Sequence, residues 1–185
     1  SSEAGWKYTP SPLLFSSGSW KVLQPPVFRS LQIPHSWTPP GSNCFSMPGS
    51  DPCPETVPDT NQMTLGRLAI DEGADLVCGH HPHVLQGIET YKGKNIVYSL
   101  GNFCFGGNSS PSDMDTMIFQ KTFTVTSEGV QADNVTNIIP CSISSADGYN
   151  NYQPTPASGD EASRIKSKIE ECSAAIPAAD SSSAT

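Results

Sequence analysis

The chain has 185 residues, 36% hydrophobic and 15% charged, with a formal net charge of −8 at pH 7. That length suits one domain with its own core and is too short for two comfortable ones. The ten Lys and Arg form no basic patch, which argues against a nucleic acid or an anionic membrane surface as partner.

Two unlike halves are expected. Residues 1–58 hold 11 of the 17 Pro, all three Trp and only six charged residues. No period of 2 or 3.6 persists there, so the segment is expected to be mostly irregular, with short strands at most near 13–15 and 22–28. Residues 1–6 lack the basic start and apolar stretch of a signal peptide. No run in the chain approaches the roughly 18 apolar residues of a membrane helix, so no membrane segment is expected.

Beyond Pro58 the signals become regular. Asp59 with Gln62 has capping-box spacing, and Met63, Leu65, Leu68 and Ala69 predict a helical apolar face that Gly73 stops. A buried strand follows at 75–78, then a strand over 84–91, a tight turn at Lys92-Gly93-Lys94 and an apolar strand at 95–100. Alternation over 116–126, a turn at Ser127-Glu128-Gly129 and a return over 130–141 predict a hairpin. Ser158 with Glu161 opens a helix whose Ile165, Ile169 and Cys172 share one side. Residues 173–185 are expected to be a disordered tail. The six Cys have no C-x-x-C spacing, and Cys78 and Cys104 are expected to be buried as small hydrophobes.

The chemistry concentrates in Gly79-His80-His81-Pro82-His83, which holds three of the four histidines. A strand that ends at Gly and opens into imidazoles is how α/β folds present metal ligands at the carboxyl edge of a sheet. Pro82 is expected to push His81 into an extended conformation, so that His81 and His83 project together and His80 points away. His81 and His83 are therefore the first candidates as metal ligands, with His80 as a third ligand or an orienting group. Asn102, after a second strand ending at Gly101, is a candidate to hydrogen-bond the histidine loop. Asp71, Glu72, Asp75, Asp113 and Asp115 read better as solvated carboxylates than as ligands. No Gly-x-Ser-x-Gly elbow or phosphate loop occurs, so no catalytic nucleophile is assigned.

Three blocks, Gly73-Ala74-Asp75-Leu76-Val77-Cys78-Gly79-His80-His81-Pro82-His83-Val84-Leu85-Gln86-Gly87-Ile88-Glu89, Tyr91-Lys92-Gly93-Lys94 and Tyr98-Ser99-Leu100-Gly101-Asn102-Phe103, strongly resemble the bacterial capsule-synthesis CapA family. These are poly-γ-glutamate biosynthesis proteins whose fold is similar to calcineurin-like metallophosphoesterases. The resemblance implies an α/β fold with mixed sheets in α/β/β/α layers, of which residues 59–172 are the carboxyl-terminal part. It also implies a divalent metal (Mn, Fe or Zn) at His81 and His83, with His80 in the alternative register. A capsule polymer or a phosphorylated small molecule is the ligand that the resemblance suggests, and the family is typically associated with the cell envelope.

The family's early Gly-Asp and Asn-His blocks have no counterpart in residues 1–58, and His35-Ser36-Trp37 only faintly resembles a His-Trp-Gly segment. The amino-terminal half of the fold is thus expected to be incomplete, with 1–58 a non-homologous or frame-shifted segment. A site lacking those partners is expected to be incomplete. Sheet edges left uncovered would favour association.

Overall fold

The computed structural model describes residues 30–32 and 56–179. The elements run β1 (Ser30–Gln32), α1 (Thr60–Asp71), β2 (Leu76–Cys78), β3 (Ile88–Tyr91), β4 (Lys94–Val97), β5 (Asp115–Thr126), β6 (Gly129–Ser142), β7 (Thr155–Pro156) and α2 (Gly159–Ala174). The architecture is mixed α/β with two sheets. One has strand order β1-β2-β4-β3 and the other β5-β6-β7.

Asp59 accepts the Gln62 N–H at 2.8 Å and Gln62 Oε1 accepts the Asp59 N–H at 2.9 Å, closing the capping box at the start of α1. Two donors that a helix start leaves unpaired are thereby satisfied. The buried face is only partly the expected one: Met63 and Ala69 pack against the core beside buried Gly66 and Ile70, whereas Leu68 is 48% exposed. Gly66 decides this. A Cβ there would meet the Ile96 side chain at 3.0 Å, so α1 lies closest to the sheet along its Gly66 side.

β2 and β4 are parallel neighbours, with Val77 opposite Ile96, and β3 runs antiparallel to β4. The β3–β4 turn has positive φ at both Lys92 (51°) and Gly93 (76°), the primed geometry that matches strand twist. On β4, Ile96 packs under α1 with Val77, Ile70 and Tyr98. Val97 points the other way, into a cluster of Leu85, Met117, Ile165 and Ile169. That second cluster joins the two sheets to α2, whose contacts reach both β3 and β6.

The expected strands at 13–15 and 22–28 lie outside the described residues, as does most of segment 1–58. Ser30–Gln32, within that segment, pairs in parallel with β2 at the sheet edge. The strand expected over 84–91 is regular only from Ile88. Leu85 joins the ladder through one antiparallel bridge to Leu100. The long hairpin forms as anticipated, with Thr126 opposite Gly129 and a register shift between Lys121 and Phe123.

α2 buries the three anticipated residues, Ile165, Ile169 and Cys172, but Ser158 makes no side-chain cap bond. Asp160 and Glu161 in the first turn instead meet the positive end of the helix dipole. Two further expectations need correction. Cys104 is exposed rather than buried, and Cys78 is half-buried. Residues 173–179 are anchored: Ile176 packs on the α1 cluster, and the Pro177 carbonyl accepts from Arg67 Nη2 at 2.6 Å. Residues 180–185 lie outside the described part. No helix among the described residues is long and apolar enough to cross a membrane.

Candidate functional site

β2 and β4 run in the same direction, so their carboxyl ends open on one edge of the sheet, where ligands of open α/β sheets commonly bind. The chain leaves β2 through Gly79, whose N–H donates to the Val97 carbonyl at 2.7 Å. A Cβ at Gly79 would stand 2.2 Å from the Tyr98 carbonyl oxygen, so a side chain does not fit there. This close approach ties the root of the histidine loop to β4.

The loop itself departs from the expected extended path. His81 has φ 113° and His83 φ 62°, on either side of Pro82. Positive φ at non-glycine residues costs on the order of 1–3 kcal/mol each and persists where surrounding structure enforces it, often at functional sites. The two rings are neighbours nonetheless, with centroids 6.2 Å apart and planes at 49°. They meet through two left-handed turns of the backbone and not through strand alternation. His81 is half-buried, whereas His80 and His83 are exposed.

Asn102 is 8% exposed and binds His83 twice. Its Nδ2 donates to the His83 carbonyl at 3.0 Å, and its Oδ1 lies 2.7 Å from His83 Nδ1. Because the amide nitrogen is committed to a carbonyl, the other end is an acceptor, and His83 Nδ1 must carry a proton. Nε2 is then the ring nitrogen with the lone pair in the neutral imidazole. This is the arrangement in which a hydrogen bond on one nitrogen orients the other for a metal.

β5 braces the backbone just before Asn102. Thr116 Oγ1 donates to the Leu100 carbonyl at 2.9 Å, and Gly101 (φ 74°) leaves room for the Asp115 carbonyl, 2.9 Å from where a Cβ would be. The loop's far end is tied to α1, because Gln62 Nε2 donates to Gln86 Oε1 at 3.2 Å.

The carboxylates have other tasks. Asp115 takes both Arg164 guanidinium nitrogens at 2.8 and 2.7 Å, and Lys168 bridges Asp113 and Asp115 at 2.7 and 2.9 Å. Burial pushes the Asp115 carboxyl up, but the hydrogen bonds and charges of Arg164 and Lys168 outweigh it and hold it below its ordinary value. Asp71 pairs with Lys92 and Asp75 with Lys94. Cys78, just before Gly79, is pushed by burial toward the neutral thiol and away from the thiolate a metal or electrophile needs.

With metal–nitrogen bonds of about 2.0–2.1 Å, a ring centre lies roughly 3 Å from its ion, so two rings on one ion stand at most about 6 Å apart. The 6.2 Å separation of His81 and His83 lies at or beyond that bound, which only two rings on nearly opposite sides of an ion reach. Among the described residues no group of three His, Cys, Asp or Glu is arranged to hold a metal ion. The described residues therefore do not make up a coordination shell.

Two residues near the site carried no sequence signal. Phe105 places its ring 5.3 Å from that of His83, and Asn150, 1% exposed, hydrogen-bonds the Phe105 carbonyl. Asn150 lies so far along the chain that no spacing rule connects it to the loop.

Residues 54–107, from before α1 to just past Phe105, match the family described as bacterial capsule synthesis protein PGA_cap. This stretch resembles PGA_cap family sequence and makes up less than a third of the chain. The chain is 56% identical over 48 residues to the PGA biosynthesis protein CapA of Bacillus subtilis (strain 168), covering 26% of this chain and 13% of that relative. Against the capsule biosynthesis protein CapA of Bacillus anthracis it is 52% identical over 51 residues, covering 28% of this chain and 12% of the relative. An uncharacterized protein of Sinorhizobium fredii (y4sH) is 48% identical over 54 residues. The chain thus matches about an eighth of the length of these relatives. The PGA_cap stretch contains every histidine of the loop together with Asn102 and Phe105, whereas Asn150 and α2 lie beyond it.

Proposed function

We propose that this chain carries the histidine wall of a divalent-metal site of the calcineurin-like metallophosphoesterase type, in a protein of capsule or poly-γ-glutamate biosynthesis. His81 and His83 are the metal-facing imidazoles, Asn102 orients His83, and His80 is the outer histidine of the loop. Among the described residues no third ligand completes the group. The observation that carries this reading is the double hydrogen bond from Asn102, which commits His83 Nδ1 and presents Nε2 at the carboxyl edge of parallel strands. Mn, Fe or Zn suits imidazole ligands. The ligand class is an oxyanion such as a phosphoryl group, on a capsule polymer or on a phosphorylated small molecule.

A metal supplies Lewis acidity and an activated water in sites of this type. The chain's own residues bind and orient. Gly79 holds the loop root against β4, and Asn102 fixes one tautomer of His83.

A second reading, a binding loop in the polymer-synthesis machinery without metal or catalysis, draws support from the missing third ligand among the described residues. Equilibrium titration with Zn²⁺ and Mn²⁺, comparing the unmodified chain with the His81→Ala/His83→Ala double variant, separates the two. The first reading expects saturable binding that the double variant loses. Equal binding by both proteins, or binding by neither, overturns it.

A further inference from the structure

The loop from Phe103 to Ser109 forms the outer wall of the histidine site, because its Phe105 ring lies 5.3 Å from the His83 ring at an angle of 46°. That loop has little of its own to fix it. It contains Gly106 and Gly107; a Cβ at Gly106 would meet nothing within 4 Å, and one at Gly107 would touch only the Phe105 ring. Such a segment pays a large entropy for order unless something outside holds it.

Asn150 supplies that hold. Its Nδ2 donates to the Phe105 carbonyl and to the Asn108 carbonyl, both at 2.9 Å, and its backbone N–H donates to the Ser109 carbonyl at 2.8 Å. Its Oδ1 accepts the Tyr152 N–H at 2.9 Å, so every polar group of the amide is used. The left-handed Tyr152 (φ 63°) turns the chain so that this bond closes. The residue is 1% exposed. A buried amide with both donors on one loop and its acceptor on another is a clamp between the two.

The Asn150 segment is itself firm. Ser144 Oγ donates toward the Tyr149 carbonyl at 2.8 Å and accepts the Asn151 N–H at 3.2 Å, which shapes the turn carrying Asn150. That turn follows β6, so the clamp joins the second sheet to a site built on the first.

We propose that Asn150 is a positioning residue of the histidine site: by clamping the Phe105–Ser109 segment it sets the Phe105 ring against His83 and so fixes the shape of the ligand-facing wall. The functional reading contributes only the premise that His83 belongs to the site. The test reads ring geometry, so loss of the metal reading and loss of this proposal are separate outcomes.

Asn150→Asp is the informative variant. It keeps the size and the acceptor for Tyr152 but turns the donating end into an oxygen facing two carbonyls. Histidine-labelled protein is compared by NMR with Phe105→Leu, which removes the aromatic ring current from His83. The expected result is that the His83 ring-proton shifts in Asn150→Asp move toward those of Phe105→Leu, while the methyl resonances of Val97 and Ile165 stay in place. The proposal is overturned if Asn150→Asp keeps the unmodified His83 shifts, or if Phe105→Leu fails to move them. A heating series on the unmodified chain covers the case in which the variant does not fold. The Asn150 side-chain amide and the Phe105 ring-current shift on His83 should be lost together. Survival of the ring-current shift after the amide has lost its protection contradicts the clamp.

Discussion

Gly79→Ala perturbs the root of the histidine loop with one methyl group. The new Cβ would stand 2.2 Å from the Tyr98 carbonyl oxygen, whereas contacts below 3.0 Å are essentially never tolerated. The obstacle is backbone on both sides, so no side chain can swing away. β2 and β4 must part by about 1 Å at this point, and the 2.7 Å bond from Gly79 N–H to the Val97 carbonyl lengthens or breaks. Losing that bond costs on the order of 0.5–1.5 kcal/mol, and forcing an extra methyl group into a packed site about 1–3 kcal/mol more. A total of about 2–4 kcal/mol is a large share of the roughly 5–15 kcal/mol by which domains are stable. Urea unfolding followed by far-UV circular dichroism measures it. With a slope of about 2 kcal/mol per M, the midpoint should fall by roughly 1–2 M. A fall smaller than about 0.3 M would refute the close-approach argument and with it the claim that Gly79 pins the loop.

Two further outcomes follow from the site and its support. Asp115 titrates below its ordinary 3.8 in the fold, so its ionised form stabilises the protein above that pH, and the contribution disappears as the pH falls through the lower folded value. Asp115→Asn should lower stability at pH 7 by about 1–3 kcal/mol, the Arg164 share being small because that side chain is 57% exposed, and should flatten the profile below about pH 4. Thermal melts across pH 2.5–7 read both effects, and an unchanged acid limb speaks against the lock between β5 and α2. Asn102→Ala frees the His83 ring and should weaken Zn²⁺ binding by about 10–100-fold, the usual loss when an orienting partner of a ligand histidine is removed. Undiminished affinity in a calorimetric titration would mean that Asn102 holds only the loop.

Much of the fold was legible because it rests on local signals. The Asp59–Gln62 capping box, the turn at Lys92 and Gly93, the long hairpin and the buried stripe of α2 are all patterns within a few residues, and each forms. The failures are cases where a distant contact overrides a local rule. Leu68 looked like a core residue, but the helix comes closest to the sheet at Gly66 because Ile96 lies there. Ser158 had cap spacing but makes no cap bond, and Cys104 sits in an apolar run yet faces solvent.

At the site, the sequence pointed to the pairing of Asn102 with the histidine loop, because both residues follow strands that end in glycine. It misjudged the backbone between His81 and His83. Proline restricts its predecessor on average, whereas here the tethers at Gly79 and Asn102 impose positive φ on both histidines. Phe105 and Asn150 were invisible, since a clamp across more than 40 residues of chain leaves no periodic trace.

The central claim, that this loop is a metal-facing wall, is tested most directly by the metal content of the protein as purified. Elemental analysis of the unmodified chain and of His81→Ala/His83→Ala, prepared identically and dialysed against metal-free buffer, should find Mn, Fe or Zn retained by the first and lost from the second. The same metal content in both proteins, or no metal in either, would contradict the account.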